Sequence, residues 1–346
     1  MVLAGKEGPN FMRGVYANLG RRSAKVIVGP GWGMDNAVVS VGHGRVMIIT
    51  VDPVSIIPEF GMKLSGWLSV HLIASDYTAS GADPEFATFS YNFPPAISNS
   101  EKEEFIRGIG SECKRLGIAI VGGNTGSYPG AGFTVVGTGS MFGLASASSY
   151  VTSTMARPGD AVLMTKHAAI EATGSLALSF PTLLVKKVGK RTASEARSII
   201  HSCSTVEDAR SARRVGLGNG SVTSMHDATE GGVLGGLEEM AHASHTAFEI
   251  EQELIPIPDV VAKVCGAFGL DPLATMGEGA LLLTCTPRMV PDLLRQMSRA
   301  KIPTTEIGKV KKGEGLRLVK GGKMGRKYTR RPDGYWGAYA RANHLI

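Results

Sequence analysis

Apolar residues fall along this chain in two alternating periods. Residues 45–52 (Arg45-Val46-Met47-Ile48-Ile49-Thr50-Val51-Asp52) carry a four-residue apolar run and end on an acid, which predicts a buried strand closing on Asp52. Residues 66–79 place Leu68, Leu72 and Ile73 at helical spacing before the turn Ser80-Gly81-Ala82-Asp83-Pro84. A second helix is predicted from Ser100, with Glu103 completing a capping box and Phe105, Ile106, Ile109, Cys113 and Leu116 along one face. The short apolar strand 118–121 then runs straight into Gly122-Gly123-Asn124-Thr125-Gly126, and 133–142 reads as another strand. A turn cluster at 156–160 introduces strand 161–165, after which the pattern restarts. Helices are expected around 194–215, 232–244, 260–268 and 290–300, with a strand at 280–285. Strands and helices interleave in both halves, so the fold class is α+β or α/β with two domains. The expected boundaries are 1–155, 156–310 and a tail, 311–346.

Composition supports two cores. The 346 residues exceed one ordinary core, and 43% are hydrophobic. The 45 glycines follow no collagen-like period and point to tight turns and close backbone approaches. No apolar run reaches the roughly 20 residues that span a bilayer. The N-terminus lacks the layout of a secretory signal. Cys113, Cys203, Cys265 and Cys285 are scattered without CxxC spacing, so buried thiols and a cytoplasmic location are expected. The net charge of +7 is uneven. Residues 309–346 hold eleven Lys and Arg against Glu314 and Asp333, a balance of +9, leaving −2 for the rest. That tail interleaves its cations with Tyr328, Tyr335, Trp336 and Tyr339, a pattern that can bind single-stranded nucleic acid, although a packing or disordered extension is the preferred reading.

Candidate chemistry rests on acids and glycines, because no GxxxxGK[ST], HExxH or GxSxG motif is present. Single carboxylates recur beside glycine or at strand ends: Asp35 after Gly33, Asp52 after Thr50, Asp76 in Ser75-Asp76-Tyr77, and Asp227 in His226-Asp227-Ala228-Thr229-Glu230-Gly231-Gly232. Magnesium takes octahedral oxygen ligands and commonly bridges a few carboxylates to phosphate. Each Asp taken alone reads equally as a turn or helix cap.

Taken in order, Gly33–Ala37 (GxDxA), Thr50–Asp52 (TxD), Ser75–Ala82, Gly122–Thr125, Asp227–Gly232 (DxTxGG) and Gly277-Glu278-Gly279 resemble the aminoimidazole ribonucleotide synthetase-like, or PurM-like, superfamily. The resemblance covers about residues 30–310. It is nearest the family of the hydrogenase maturation factor HypE, through Asp227–Gly232, Ile255-Pro256-Ile257-Pro258, Thr165-Lys166 and Ile170-Glu171-Ala172-Thr173. It implies two α/β domains, a homodimer that pairs its N-terminal sheets, and ATP with Mg²⁺ in a groove near that interface. It implies Asp35, Asp52, Asp76 and Asp227 as metal and phosphate residues, with Asp76 and Asp227 in catalysis, and His226 joins them as a catalytic candidate on its own chemistry beside Asp227. Gly33, Thr50, Gly122, Gly123, Asn124 and Thr125 would join Asp35 and Asp52 around the nucleotide. The implied activity is phosphoryl transfer to an amide-like or phosphate-like oxygen of a small metabolite, which needs positioning and charge neutralisation more than a nucleophile.

Three departures qualify the match. Met34 stands where the family has a first Asp of Gly-Asp-Asp, and Asn124 stands where an acid often follows the paired glycines. The chain as given ends Arg341-Ala342-Asn343-His344-Leu345-Ile346, without the terminal cysteine of HypE, so HypE chemistry is not expected. The lost acids favour an alternative, a HypE-like nucleotide-binding maturation or regulatory protein without turnover. His226 beside Asp227 reads as a general base or as a hydrogen-bonded turn residue. Lys166 and His167 could hold an anionic acceptor, and Glu171 and Thr173 could line its pocket.

Overall fold

The computed structural model describes residues 5–344. Helix α1 (Pro9–Tyr16) precedes a mixed sheet formed by β1 (Val26–Val28), β2 (Ala37–Gly42), β3 (Arg45–Ser55), β4 (Phe86–Phe93), β5 (Ala119–Ser127) and β6 (Val135–Ser146). Their order is β1-β2-β3-β6-β4-β5, with α2 (Gly61–Thr78) after β3 and α3 (Asn99–Leu116) after β4. Alternation along β3 and β4 turns Val46, Ile48, Val54, Phe89, Tyr91 and Phe93 toward these helices. The same alternation exposes Val51, Phe86 and Leu144 on the other face.

Helix α2 has no separate apolar face and is buried on most sides past its first turn, with its polar residues turned into the interior. It packs on the first sheet through Val70, Ile73 and Tyr77, while Leu68 joins the core of the second domain. Helix α3 begins two residues before the expected cap. Ser98 is extended there, its Oγ accepts from the Glu101 amide, and the Glu101 carboxylate accepts from the Ser98 amide at 2.8 Å. The Ser-x-x-Glu spacing occurs twice in register. The earlier copy caps the helix because buried Ile97 anchors the chain just before it.

The second sheet is ordered β13-β12-β9-β11-β7-β10-β8, from β7 (Ala161–Thr165), β8 (Val222–Asp227), β9 (Ala247–Glu251), β10 (Leu281–Cys285), β11 (Thr304–Lys311), β12 (Gly315–Lys320) and β13 (Lys323–Lys327). Its helices are α4 (Ile170–Ser179), α5 (Pro181–Val188), α6 (Lys190–Ser198), α7 (Val206–Arg213), α8 (Gly232–Ala243), α9 (Asp259–Phe268), α10 (Val290–Arg299) and α11 (Tyr335–Asn343). Strands β7, β8 and β10 are buried at every position, so they show no alternation in sequence. The single helix expected at 194–215 is two helices, α6 and α7. The break leaves the Ser204 carbonyl free to accept from Lys166 Nζ at 2.7 Å.

The basic tail does not stand apart from this domain. β12 pairs in parallel with β9, β13 forms the sheet edge, and Tyr335, Ala338 and Ala342 of α11 are buried against α4, α5 and α9. Among the described residues no helix is long and apolar enough to cross a membrane.

Candidate active site

Four acids distant in sequence converge where the domains meet. Asp35 precedes β2, Asp52 lies on the helix-facing side of β3, Asp76 belongs to the last turn of α2, and Asp227 ends β8. Donor atoms of Asp35, His226 and Asp227 lie within 4.8 Å of one another. Thr50 Oγ1 donates to the Asp35 carbonyl at 2.7 Å and lies 3.4 Å from Asp76 Oδ2, while Asn36 donates to the Asp76 carbonyl at 3.1 Å. Thr50 and Asn36 thus tie the Gly33 loop, β3 and α2 together. Gly33 permits this: its φ is +78°, and a Cβ there would stand 2.8 Å from the Glu239 carbonyl oxygen of α8.

The carboxyls repel one another in a buried space. Burial lifts Asp76 well above the usual carboxylate range, and the charges of Asp52, Asp227 and Asp35 lift it further. Asp35 is pushed up to about 6 by burial and by Asp227, against the opposing pull of His226. Burial likewise raises Asp52, with an added push from Asp227. Among the described residues no backbone amide, hydroxyl or cationic side chain donates to either oxygen of Asp227, which is fully buried and whose neighbour is the carboxyl of Glu278. Burial and the Asp227 and Glu171 charges raise Glu278 strongly. Lys6 and His226 offset part of this charge, and the acids that outnumber them offer the oxygen ligands a hard divalent cation takes, so these residues fit Mg²⁺.

His226 is committed on both sides. Its Nδ1 lies 2.5 Å from Asp35 Oδ1 and its Nε2 lies 2.9 Å from Glu239 Oε2. Burial alone would lower its pKa, but Asp35 and Glu239 outweigh that and push it up to about 10. The imidazole therefore stays protonated at neutral pH. Both nitrogens face carboxylates, Nε2 in a hydrogen bond and Nδ1 in a close contact without hydrogen-bond alignment, so His226 sits as an ion-pair hub between Glu239 and Asp35.

Deeper in the second domain, Lys166 Nζ donates to Ser204 O at 2.7 Å, Gly279 O at 2.7 Å and Asp208 Oδ2 at 2.9 Å. It is a structural clamp rather than a free anion-binding amine. Glu171 is buried and its carboxyl is pushed up to about 8 by burial, with contributions from Glu230 and Asp333. His167, which accompanies it in sequence, makes a local contact with the Ala168 carbonyl. All four cysteines are buried, and burial raises each thiol pKa.

Gly122, Gly123, Asn124 and Thr125 do not join this cluster within one chain. They lie inside edge strand β5 rather than in a loop, mostly exposed, with Gly123 in register with Phe89. Asp52 pairs with Gly139 and Gly139 with Phe89, so Gly123 sits three strands from Asp52, about 14 Å away at ordinary strand spacing. Sequence reasoning missed Glu239 and Arg330. The signal for Glu239 was an acid pair, Glu238-Glu239, within the otherwise apolar helix α8.

Two α/β domains that meet at an acid-rich seam define an architecture of the PurM-like type. The chain belongs to the AIR synthase related family: the model of its N-terminal domain matches residues 33–145 and that of its C-terminal domain residues 157–321. Carbamoyl dehydratase HypE from Rhizobium leguminosarum bv. viciae is 30% identical over 262 residues, 74% of this chain and 70% of that protein. Thiamine-monophosphate kinase from Nitrosopumilus maritimus is 29% identical over 280 residues, 79% of this chain and 83% of its own. Among solved structures, the HypE–HypF complex superposes with a TM-score of 0.73 at 19% identity, covering 94% of this chain and 100% of that one. AaThiL complexed with AMPPCP and TMP gives 0.69 at 19% identity, covering 93% and 94%. The expected fold and family resemblance are therefore borne out.

Proposed function

We propose that this chain is an enzyme that binds ATP with Mg²⁺ at the acid cluster and transfers the γ-phosphoryl group to an oxygen of a small acceptor. The observation that carries this reading is the convergence of Asp35, Asp52 and Asp76 with Asp227 of the other domain, buried and with too little protein cation to balance them. Asp35, Asp52, Asp76 and Asp227 would hold the metal, which when bound supplies charge neutralisation for the phosphate oxygens. The residues of the chain provide the rest. Thr50 and Asn36 fix the relative position of the acid-bearing segments, and protonated His226 holds the Asp35 carboxylate in one orientation. Relatives support the nucleotide: AaThiL is known with AMPPCP and TMP, and HypE with ATP. The acceptor class is an amide-bearing or phosphate-bearing metabolite, by analogy with the two relatives. A homodimer is proposed through the exposed apolar face of the first sheet, which would also bring Gly122–Thr125 into an interface.

A second reading, nucleotide binding without turnover, is favoured by Met34, which leaves the cluster one charge short of the family pattern, and by Asn124, which would remove a second where a partner copy brings β5 to the site. Titration calorimetry of ATP with and without Mg²⁺ tests the binding common to both. Affinity should require the metal, and Asp76→Asn should raise Kd at least ~10-fold, a loss of about 1.4 kcal/mol. Equal affinity in all conditions would remove the metal role. ADP release in a screen of amide- and phosphate-bearing compounds separates the two readings.

A further inference from the structure

The segment after β13 lies beyond the residues that match the family, yet it crosses the seam that carries the acids. Arg330 Nη1 donates to Glu239 Oε1 at 2.6 Å, and its Nη2 donates to the Glu230 carbonyl at 2.8 Å. Its guanidinium also lies over the Trp32 ring, 4.9 Å from the centroid. Three residues on, Asp333 Oδ2 accepts from the Gly231 amide at 2.8 Å and Oδ1 accepts from Thr275 Oγ1 at 2.9 Å. Trp336 Nε1 then donates to Glu230 Oε1 at 3.3 Å.

These contacts reach Asp35 by two separate routes. One runs through side chains: Arg330 holds Glu239, Glu239 holds His226 Nε2, and His226 Nδ1 meets Asp35. The other runs through the backbone, because Trp32 lies three residues before Asp35 on the loop that Gly33 packs against α8. The same segment fixes the loop that follows Asp227, at Glu230 and Gly231. One strap therefore holds an acid-bearing loop of each domain. We propose that the C-terminal strap is a staple that sets the placement of Asp35 against Asp227, with Arg330 as its positioning residue, and so tunes cation and nucleotide affinity at the seam.

The inference rests on the proposed MgATP site. Its physical basis is general: partners that orient metal ligands commonly account for 10–100-fold in metal affinity. Arginine suits the position because its planar fork serves Glu239 and the Glu230 carbonyl at once while stacking on an indole, whereas lysine offers a single point charge.

The test uses the full chain and Mn²⁺ as the probe, with free Mn²⁺ followed by electron paramagnetic resonance and MgATP binding followed by calorimetry. Both are measured below the melting temperature of every variant. Arg330→Met should raise the Mn²⁺ Kd by roughly 10-fold or more. Arg330→Lys should recover part of that loss, and Asp333→Asn should weaken binding by an intermediate amount. In combination with Glu239→Gln, Arg330→Met should add little, because both act along one relay. Lowered melting temperatures with wild-type Kd values would show a merely structural strap and overturn the proposal. If Arg330→Met does not fold, Arg330→Lys and Asp333→Asn decide by the same criterion. Failure of the wild-type chain to bind Mn²⁺ or MgATP would overturn the proposed function and this inference with it. Normal wild-type binding with indifferent variants would overturn the inference alone.

Discussion

Glu171 shows how burial converts a side chain into a pH-dependent stability term. Its carboxyl is raised from an ordinary 4.5 to about 8, with burial the leading cause and Glu230 and Asp333 adding repulsion. The folded chain therefore keeps a proton that the unfolded chain has released above pH ~4.5. Stability is full below that value and is lost as pH rises through about 8, on the order of 4 kcal/mol for this group. Thermal unfolding from pH 5 to pH 8 should show this decline, and Glu171→Gln should make it shallower, leaving the share that comes from the raised acids of the seam. Parallel curves for the two proteins would mean that Glu171 is ionised in the fold. At the same scale, the four acids read from sequence do meet, but His226 changes meaning. Its neighbours Asp35 and Glu239 come from separate elements, so no local pattern could reveal that both its nitrogens face carboxylates.

At the scale of elements, the packing of α2 on α3 makes two glycines respond oppositely to the same change. A Cβ at Gly66 would stand 2.9 Å from the Phe105 carbonyl oxygen and 3.2 Å from the Ile109 amide nitrogen, both rigid backbone. A Cβ at Gly110, also helical, would meet nothing within 4 Å. Helix propensity alone favours alanine over glycine by about 1 kcal/mol at both. At Gly66 the collision outweighs that gain, because forced overpacking costs about 1–3 kcal/mol. Denaturant unfolding should thus show Gly66→Ala destabilised and Gly110→Ala stabilised by roughly 0.5–1 kcal/mol. A stabilised Gly66→Ala would contradict the close crossing of these helices. Neither outcome is legible in the sequence, where both positions are glycines in helical runs.

At the scale of the whole molecule, the first sheet leaves Val51, Phe86, Leu144, Ile120 and Val121 exposed together with the edge strand β5. Such a face and edge invite pairing with a second copy. Sedimentation at micromolar concentration should give a dimer, and Val51→Lys should shift it toward monomer. A wild-type monomer would remove the proposed interface and leave Gly122–Thr125 without a place near the nucleotide.

From the sequence alone came the alternation of elements, strands β3, β6, β7 and β10, and the four acids, because burial period and strand-end punctuation are local properties of the chain, whereas the interior strands β4, β9 and β11 went unread. The sequence pattern misplaced the α3 cap by two residues, where Ser-x-x-Glu recurs, and it joined α6 to α7 across a break stabilised from outside by Lys166. Packing in three dimensions makes Gly122–Thr125 an edge strand, His226 an ion-pair hub, and the basic tail a part of the second domain. Each of those outcomes depends on charges and backbone groups tens to hundreds of residues apart in the chain, and their interaction energies exist only once packing has brought them together and excluded water.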